Sequence, residues 1–361
     1  MANHGTTRPG EWPANKRQKT THKTPALPQV IVISHELQPD MRVTVFDIEF
    51  HVDSASMRAH SAFFRTFLDS PDKVAREKAA LATPESAAQS QSAKFKYDWV
   101  TQIDEDKSSW HLATAEWALD ERSDYNEFEG DWKHQQTVFN MLLCAIHGEP
   151  YYLTYAELVT LVGLADYYRA LPILSRTLDE SFERNPSLGV EIEWHCVDAF
   201  VLADKLRHAP LFRECLVYLL GPWQNPRYLE LEDRKLWKIA HNAYNEICAK
   251  IADVQEVIIP VYSMLSSWEI SHDELERIAR SSIDQHQMIN LPMYYRKLSD
   301  EVRFARDAAE IKMLLNDLLE NNLKLSPFRL RKAGEDMLSD SFLCGEIDDD
   351  DLPWDLEETD W

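Results

Sequence analysis

The sequence predicts an α+β fold: a small mixed sheet flanked by helices, then an all-α helical extension, with disordered segments at both termini. Three observations lead there. Apolar and polar residues alternate around Val43 and Val45 and again around Phe50 and Val52, the period-two pattern of half-buried strands. From Ser56 the period lengthens, and Met57, His60, Phe63, Phe64 and Phe67 recur at helical spacing. Beyond residue 150 the pattern stays helical, and LADYYRALPILSRTL from Leu164 is echoed thirty-eight residues later by LADKLRHAPLFRECL from Leu202.

The elements follow in order. PQVIVISHEL, residues 28–37, reads as a strand that either completes its own sheet or is offered as an edge to a neighbour. The 43–52 hairpin turns at Asp47-Ile48 without the glycine a tight turn prefers. TPESAAQSQSA, 83–93, has no hydrophobic period and reads as a mobile loop. FKYDWVTQI and WHLATAEWA flank the charged turn DEDKSS and read as a hairpin extending the sheet, and DERSDYNEFEGDW is expected to be a solvated acidic connector. Phe139, Leu142, Leu143 and Ile146 form one helical stripe, ended by Gly148 at a C-cap and by Pro150. Thr154 and Glu157 make a T-x-x-E capping box before Leu158, Leu161, Val162 and Ala165. In the repeated unit, Pro172 and Pro210 open the second helices, where a missing N–H costs nothing. Further on, Leu236, Ile239, Ala240, Ala243 and Ile247 share one side of a long helix. Ser271 with Glu274 forms a second capping pattern, and Ile311, Leu314, Leu315 and Leu318 form a stripe for a bundle face or a partner helix.

The order of F-x-V, an apolar residue and H-S-x-F-F resembles the BTB/POZ domain, in particular the large fungal group of that family. The residues that carry the likeness are Phe50, Val52, Asp53, Met57, His60, Ser61, Phe63 and Phe64, with Leu164, Ala165, Asp166 and Tyr168 downstream. It spans residues 39–223, looser over 84–132, and departs from the family at Asp53, where a histidine is common. The second copy of the internal echo resembles the helical, BACK-like extension that follows many such domains. The resemblance implies a BTB domain at 29–184 with an inserted loop and hairpin at about 71–133, then a helical region at 185–330. It also implies protein–protein interaction, homodimerisation, and in some members delivery of substrates to a cullin-type ubiquitin ligase.

Composition narrows the function classes. Five cysteines at 144, 196, 215, 248 and 344, with no C-x-x-C pair, suggest neither a disulfide framework nor a zinc ribbon, and fit an intracellular protein of cytoplasm or nucleus. The net charge of −23 argues against nucleic-acid binding, and no apolar run is long enough to cross a membrane. Nucleotide-binding, zinc-protease and hydrolase signatures do not occur, and nine glycines leave little material for phosphate-cradling loops, so no cofactor, metal or catalytic residue is expected. His195 and Cys196, adjacent on a helix, diverge by about 100° and cannot share an ion.

The ends differ sharply in charge. Residues 1–28 are basic and include KRQK from Lys16, a short cluster of the kind used in nuclear import. Residues 331–361 hold twelve carboxylates from Glu335 onward and read as a disordered acidic tail. Within it Leu352, Trp354, Leu356 and Trp361 form an acidic-hydrophobic pattern that either docks on a partner or only solubilises. Two functions are therefore expected: an interaction adaptor, or a nuclear regulator that docks through its tail without touching DNA.

Overall fold

The computed structural model describes residues 29–33, 37–68, 95–115, 125–263, 271–284, 286–302, 309–359 and 361. The basic N-terminal segment and the 83–93 loop lie outside them. Five strands and twelve α-helices are present among the described residues, so the chain is of mixed α+β class.

β1 (Gln29–Ile33), β2 (Met41–Val45), β3 (Ile48–Val52), β4 (Tyr97–Ile103) and β5 (Trp110–Thr114) form one sheet in the order β1-β3-β2-β4-β5. β1 runs parallel to β3 and β4 parallel to β2, while β2–β3 and β4–β5 are antiparallel. Within the 28–37 segment, Gln29–Ile33 thus completes its own sheet. The β4–β5 hairpin is no appendage, because β4 pairs with β2 in the middle of the sheet.

The turn between β2 and β3 falls on Phe46-Asp47, one residue before the expected position. Phe46 adopts φ 53°, a conformation that costs a non-glycine residue about 1 kcal/mol. Its ring offsets that strain. It is fully buried, with centroids of Trp110, Tyr125 and Phe128 at 5.3–5.6 Å. Its N–H donates to Thr101 Oγ1 at 2.8 Å, and Gln136 Nε2 donates to Val45 O at 2.8 Å. Tyr125 and Phe128 belong to the acidic connector, so that segment is not wholly solvated: these aromatics close the core over the turn while Glu127, Glu129 and Asp131 stay outside.

After β3 come α1 (Ser54–His60) and α2 (Ala62–Leu68), two short helices where one was expected. The break at Ser61 has a local cause. Its hydroxyl donates to Tyr168 O at 2.6 Å and accepts from Phe64 N at 3.2 Å, which restarts the helix. α3 (Trp132–His147), α4 (Tyr155–Tyr167) and α5 (Leu171–Arg184) then cover the sheet unit. Gly148 ends α3 at φ 71°, and Thr154 with Glu157 forms the full capping box of α4.

α6 (Pro186–Trp194), α7 (Cys196–Leu206), α8 (Ala209–Leu220), α9 (Arg234–Ser263), α10 (His272–Ser281), α11 (Leu291–Val302) and α12 (Ala309–Leu318) build the helical region. Pro172 and Pro210 sit in the first turns of α5 and α8. The turns before them match as well, since Arg169 and Arg207 are both left-handed, at φ 51° and 52°. Ile311, Leu315 and Leu318 are buried, Leu314 half-buried, and α12 packs on α9, so the stripe is a bundle face. Ser271 caps α10 by accepting from Glu274 N, while Glu274 pairs with Arg277 instead of closing a box. One apolar core runs from Ile33 through the sheet and the helices to Leu352.

Candidate functional site

The two halves of the sequence motif meet in space. Phe64 stacks on Tyr168 with 5.7 Å between centroids and 7° between planes, and Phe139 lies edge-on to Tyr168 while touching Phe50. Val52, Met57 and Ala165 are buried in the same core, and Leu164 is half-buried against it. Asp53, which departs from the family pattern, has two duties: it accepts from Ser56 N at 2.7 Å as the cap of α1, and it lies 3.2 Å from His147 Nε2, both side chains buried. Asp166 pairs with Lys205 of α7 at 2.8 Å, linking the two repeat copies. Most of the motif is therefore architecture.

Its outward members are different. Phe63 is half-buried, and around it Phe67 and Tyr167 are 49% and 51% exposed, with centroids 4.6 Å and 6.0 Å from Phe63. Tyr167 continues an outer stripe of α4 in which Ala156, Val159 and Gly163 are also exposed, all at helical spacing and none charged. α4 is apolar almost all round yet covered on one side. Such a helix is ordinarily enclosed. A second unpartnered feature is β1, whose outer edge has no strand beside it among the described residues and whose Val30 and Val32 are exposed.

The acidic tail is not disordered over its described residues. Phe342, Leu343, Cys344 and Leu352 are buried, and Phe342 N donates to Gly221 O at 3.0 Å, while Asn322 N donates to Leu343 O at 3.0 Å. Trp354 lies edge-on to Phe212 at 5.1 Å, and Trp361 sits 4.9 Å from the Arg207 guanidinium. Arg207 pairs with Glu358, Arg213 with Asp349, and Lys250 with Glu346 at 3.4 Å. The expected docking residues Leu352, Trp354 and Trp361 thus dock on this chain's own α7–α9 surface, and Leu356 alone among them is largely exposed. Composition misled because the cations that receive the tail are scattered from 207 to 250.

The histidine and cysteine singled out in the sequence, His195 and Cys196, do not converge. His195 is exposed and stacked on Tyr155, whereas Cys196 is buried and its thiol is pushed up to about 12 by burial. All five cysteines are free, and burial keeps the thiols of Cys144 and Cys344 protonated as well, at about 11 and about 12. His272, Asp273 and Glu276 cluster at the start of α10, and all three are exposed. No helix among the described residues is long and apolar enough to cross a membrane. Compared with known proteins, the chain matches no family model, no curated protein and no solved structure.

Proposed function

We propose that the chain is a non-enzymatic interaction module: a BTB-type domain, self-associating or joined to a cullin-type ligase scaffold, whose BACK-like helical region extends it. The exposed aromatic face formed by Phe67, Tyr167 and the outer stripe of α4 is the observation that carries this reading. Half-exposed aromatic rings gathered around a half-buried one are what a protein interface buries at its centre. A hairpin that feeds straight into helical structure, with further helices after the last strands, supports the domain assignment, although the resemblance implied one helix where the chain has two. The nuclear-regulator alternative loses much of its support, because Leu352, Trp354 and Trp361 of the tail are engaged within the chain.

The test is sedimentation of the purified chain, alone and with a purified cullin-type scaffold, beside F67E/Y167E. Both side chains are half-exposed, so the double variant is expected to fold. The wild type should dimerise or bind the scaffold, and the variant should do neither. A monomeric wild type that ignores the scaffold, or a variant that behaves identically, would overturn the reading.

A further inference from the structure

An open cavity of about 620 Å³ lies where α1 and α2 face the α4–α5 turn and the start of α5. Arg58, His60, Arg65, Arg169 and Arg176 line it, and Thr359 of the tail reaches the same wall. No carboxylate lines it among the described residues, in a chain that carries 61 acidic residues against 38 Lys and Arg. Arg169 and Arg176 form no ion pair among the described residues, although acidic side chains are abundant elsewhere on the surface. Arg169 and Arg176, facing one space without a counter-ion among the described residues, repel one another, a cost that a bound anion reduces.

The walls are fixed to each other. Ser61 Oγ donates to Tyr168 O at 2.6 Å and Ala62 N donates to Arg169 O at 3.2 Å, so the helix break and the turn are joined at the cavity floor. Arg65 Nε donates to Arg58 O at 3.2 Å, which sets its side chain against α1. The left-handed backbone of Arg169 directs the turn, as that of Arg207 does in the second copy. Burial, and then the charges of Arg176 and His147, lower the pKa of His60, so its ring is neutral at pH 7 and offers a hydrogen bond without further repulsion.

Arg169 and Arg176 present planar guanidinium forks, which bind phosphate oxygens in pairs. We propose that this cavity is a binding site for a phosphoryl anion, held by Arg169 and Arg176. Two sources share that chemistry. One is a soluble molecule with neighbouring phosphoryl groups, for which the cavity has room. The other is Thr359 itself, after a kinase has transferred the γ-phosphoryl of a nucleoside triphosphate to its hydroxyl oxygen, releasing the diphosphate and a proton. Glu358 on Arg207, and Trp361 over the same guanidinium, hold Thr359 at the cavity in either case.

The full-length chain is titrated by calorimetry with pyrophosphate and with inositol hexakisphosphate, as wild type, as R169E/R176E, and as R234E/R280E, which matches the charge change at exposed sites away from the cavity. Melting without ligand verifies that each variant is folded. A chain carrying phosphothreonine at 359 is melted with and without R169E/R176E. For a soluble source, R169E/R176E weakens binding by at least about tenfold and the control stays within about twofold. For the Thr359 source, phosphorylation raises the melting temperature and R169E/R176E abolishes the rise. Binding equal in both charge-reversed variants overturns the proposal. So does the absence of saturable binding by either compound together with no Arg169/Arg176-dependent rise on phosphorylation.

Discussion

Glu214 offers the sharpest test of how the C-terminal part is held. It lies on α8, is 1% exposed, and accepts three backbone N–H groups: Lys324 at 2.7 Å and Leu325 at 3.1 Å on Oε2, and Ser326 at 2.8 Å on Oε1. Gly189 of α6 admits this segment, since a Cβ there would fall 2.8 Å from Leu325 O and from Ser326 Cα. Glu214→Ala leaves three donors unpaired in a buried place. Each costs about 1–3 kcal/mol, but the buried carboxylate's own desolvation penalty disappears with it, so a net loss of about 3–5 kcal/mol is expected. Glu214→Gln, with its amide oxygen in the Oε2 position, keeps two bonds and turns an NH₂ toward Ser326 N–H, for a loss of about 1–2 kcal/mol.

The same residue predicts a pH dependence. Burial, the largest influence, raises its pKa above the ordinary 4.5 despite the three donors. The folded state then holds the proton more tightly than the unfolded state, so this group's contribution is largest below pH 4.5 and declines as pH rises through the folded pKa. Urea unfolding at several pH values measures both effects, and Glu214→Gln should remove that part of the slope. An Ala variant within about 1 kcal/mol of wild type, or a Gln variant as damaged as Ala, would refute the reasoning.

Other substitutions separate competing effects. Phe46→Gly relieves about 1 kcal/mol of left-handed strain and forfeits about 3–5 kcal/mol of ring burial, so calorimetric melting should show clear destabilisation. Asp53→Ala removes a cap and the partner of His147 and should cost about 1–2 kcal/mol in urea, while Asp53→Asn, which still caps, should cost less. Trp354→Ala should speed proteolysis within 331–361 while leaving the sheet unit protected, because Trp354 is the ring that joins the tail to Phe212. Burial, then repulsion from Glu346, Asp351 and Asp348, raises the pKa of Glu246 on α9, so tail docking should tighten as pH falls through that value. Glu246→Gln should reproduce the tightening at neutral pH, as slower amide exchange in the tail.

What the sequence revealed depended on how local the signal was. The strands at 41–52, the Gly148 cap, the Thr154 box and the prolines of the repeated hairpins each rest on residues within a few positions of one another, and each is visible in the chain as written. The split of the first helix was not visible, because Ser61 breaks it by bonding to Tyr168, more than a hundred residues away. Phe46 was missed for a related reason. A turn without glycine looks unfavourable until the aromatic cluster that compensates it, Trp110 from β5 with Tyr125, Phe128 and Trp132 from the connector, has been assembled around it.

The tail and the arginine cavity show how far bulk charge can mislead. An excess of carboxylates predicts self-repulsion only if cations are spread evenly, and here Arg207, Arg213 and Lys250 are arranged to receive the tail. The duplication explains part of this arrangement. Its two turns place Arg169 and Arg207 in the same left-handed conformation, one lining the cavity and the other holding Glu358 and Trp361 beside it. A repeat that was legible as a pattern of leucines and prolines therefore also duplicated a cation-presenting turn. Thr359 lines the same cavity as Arg169 of the first copy while Glu358 and Trp361 hold Arg207 of the second, so any group that neutralises Arg169 acts at the same place where the tail is tethered.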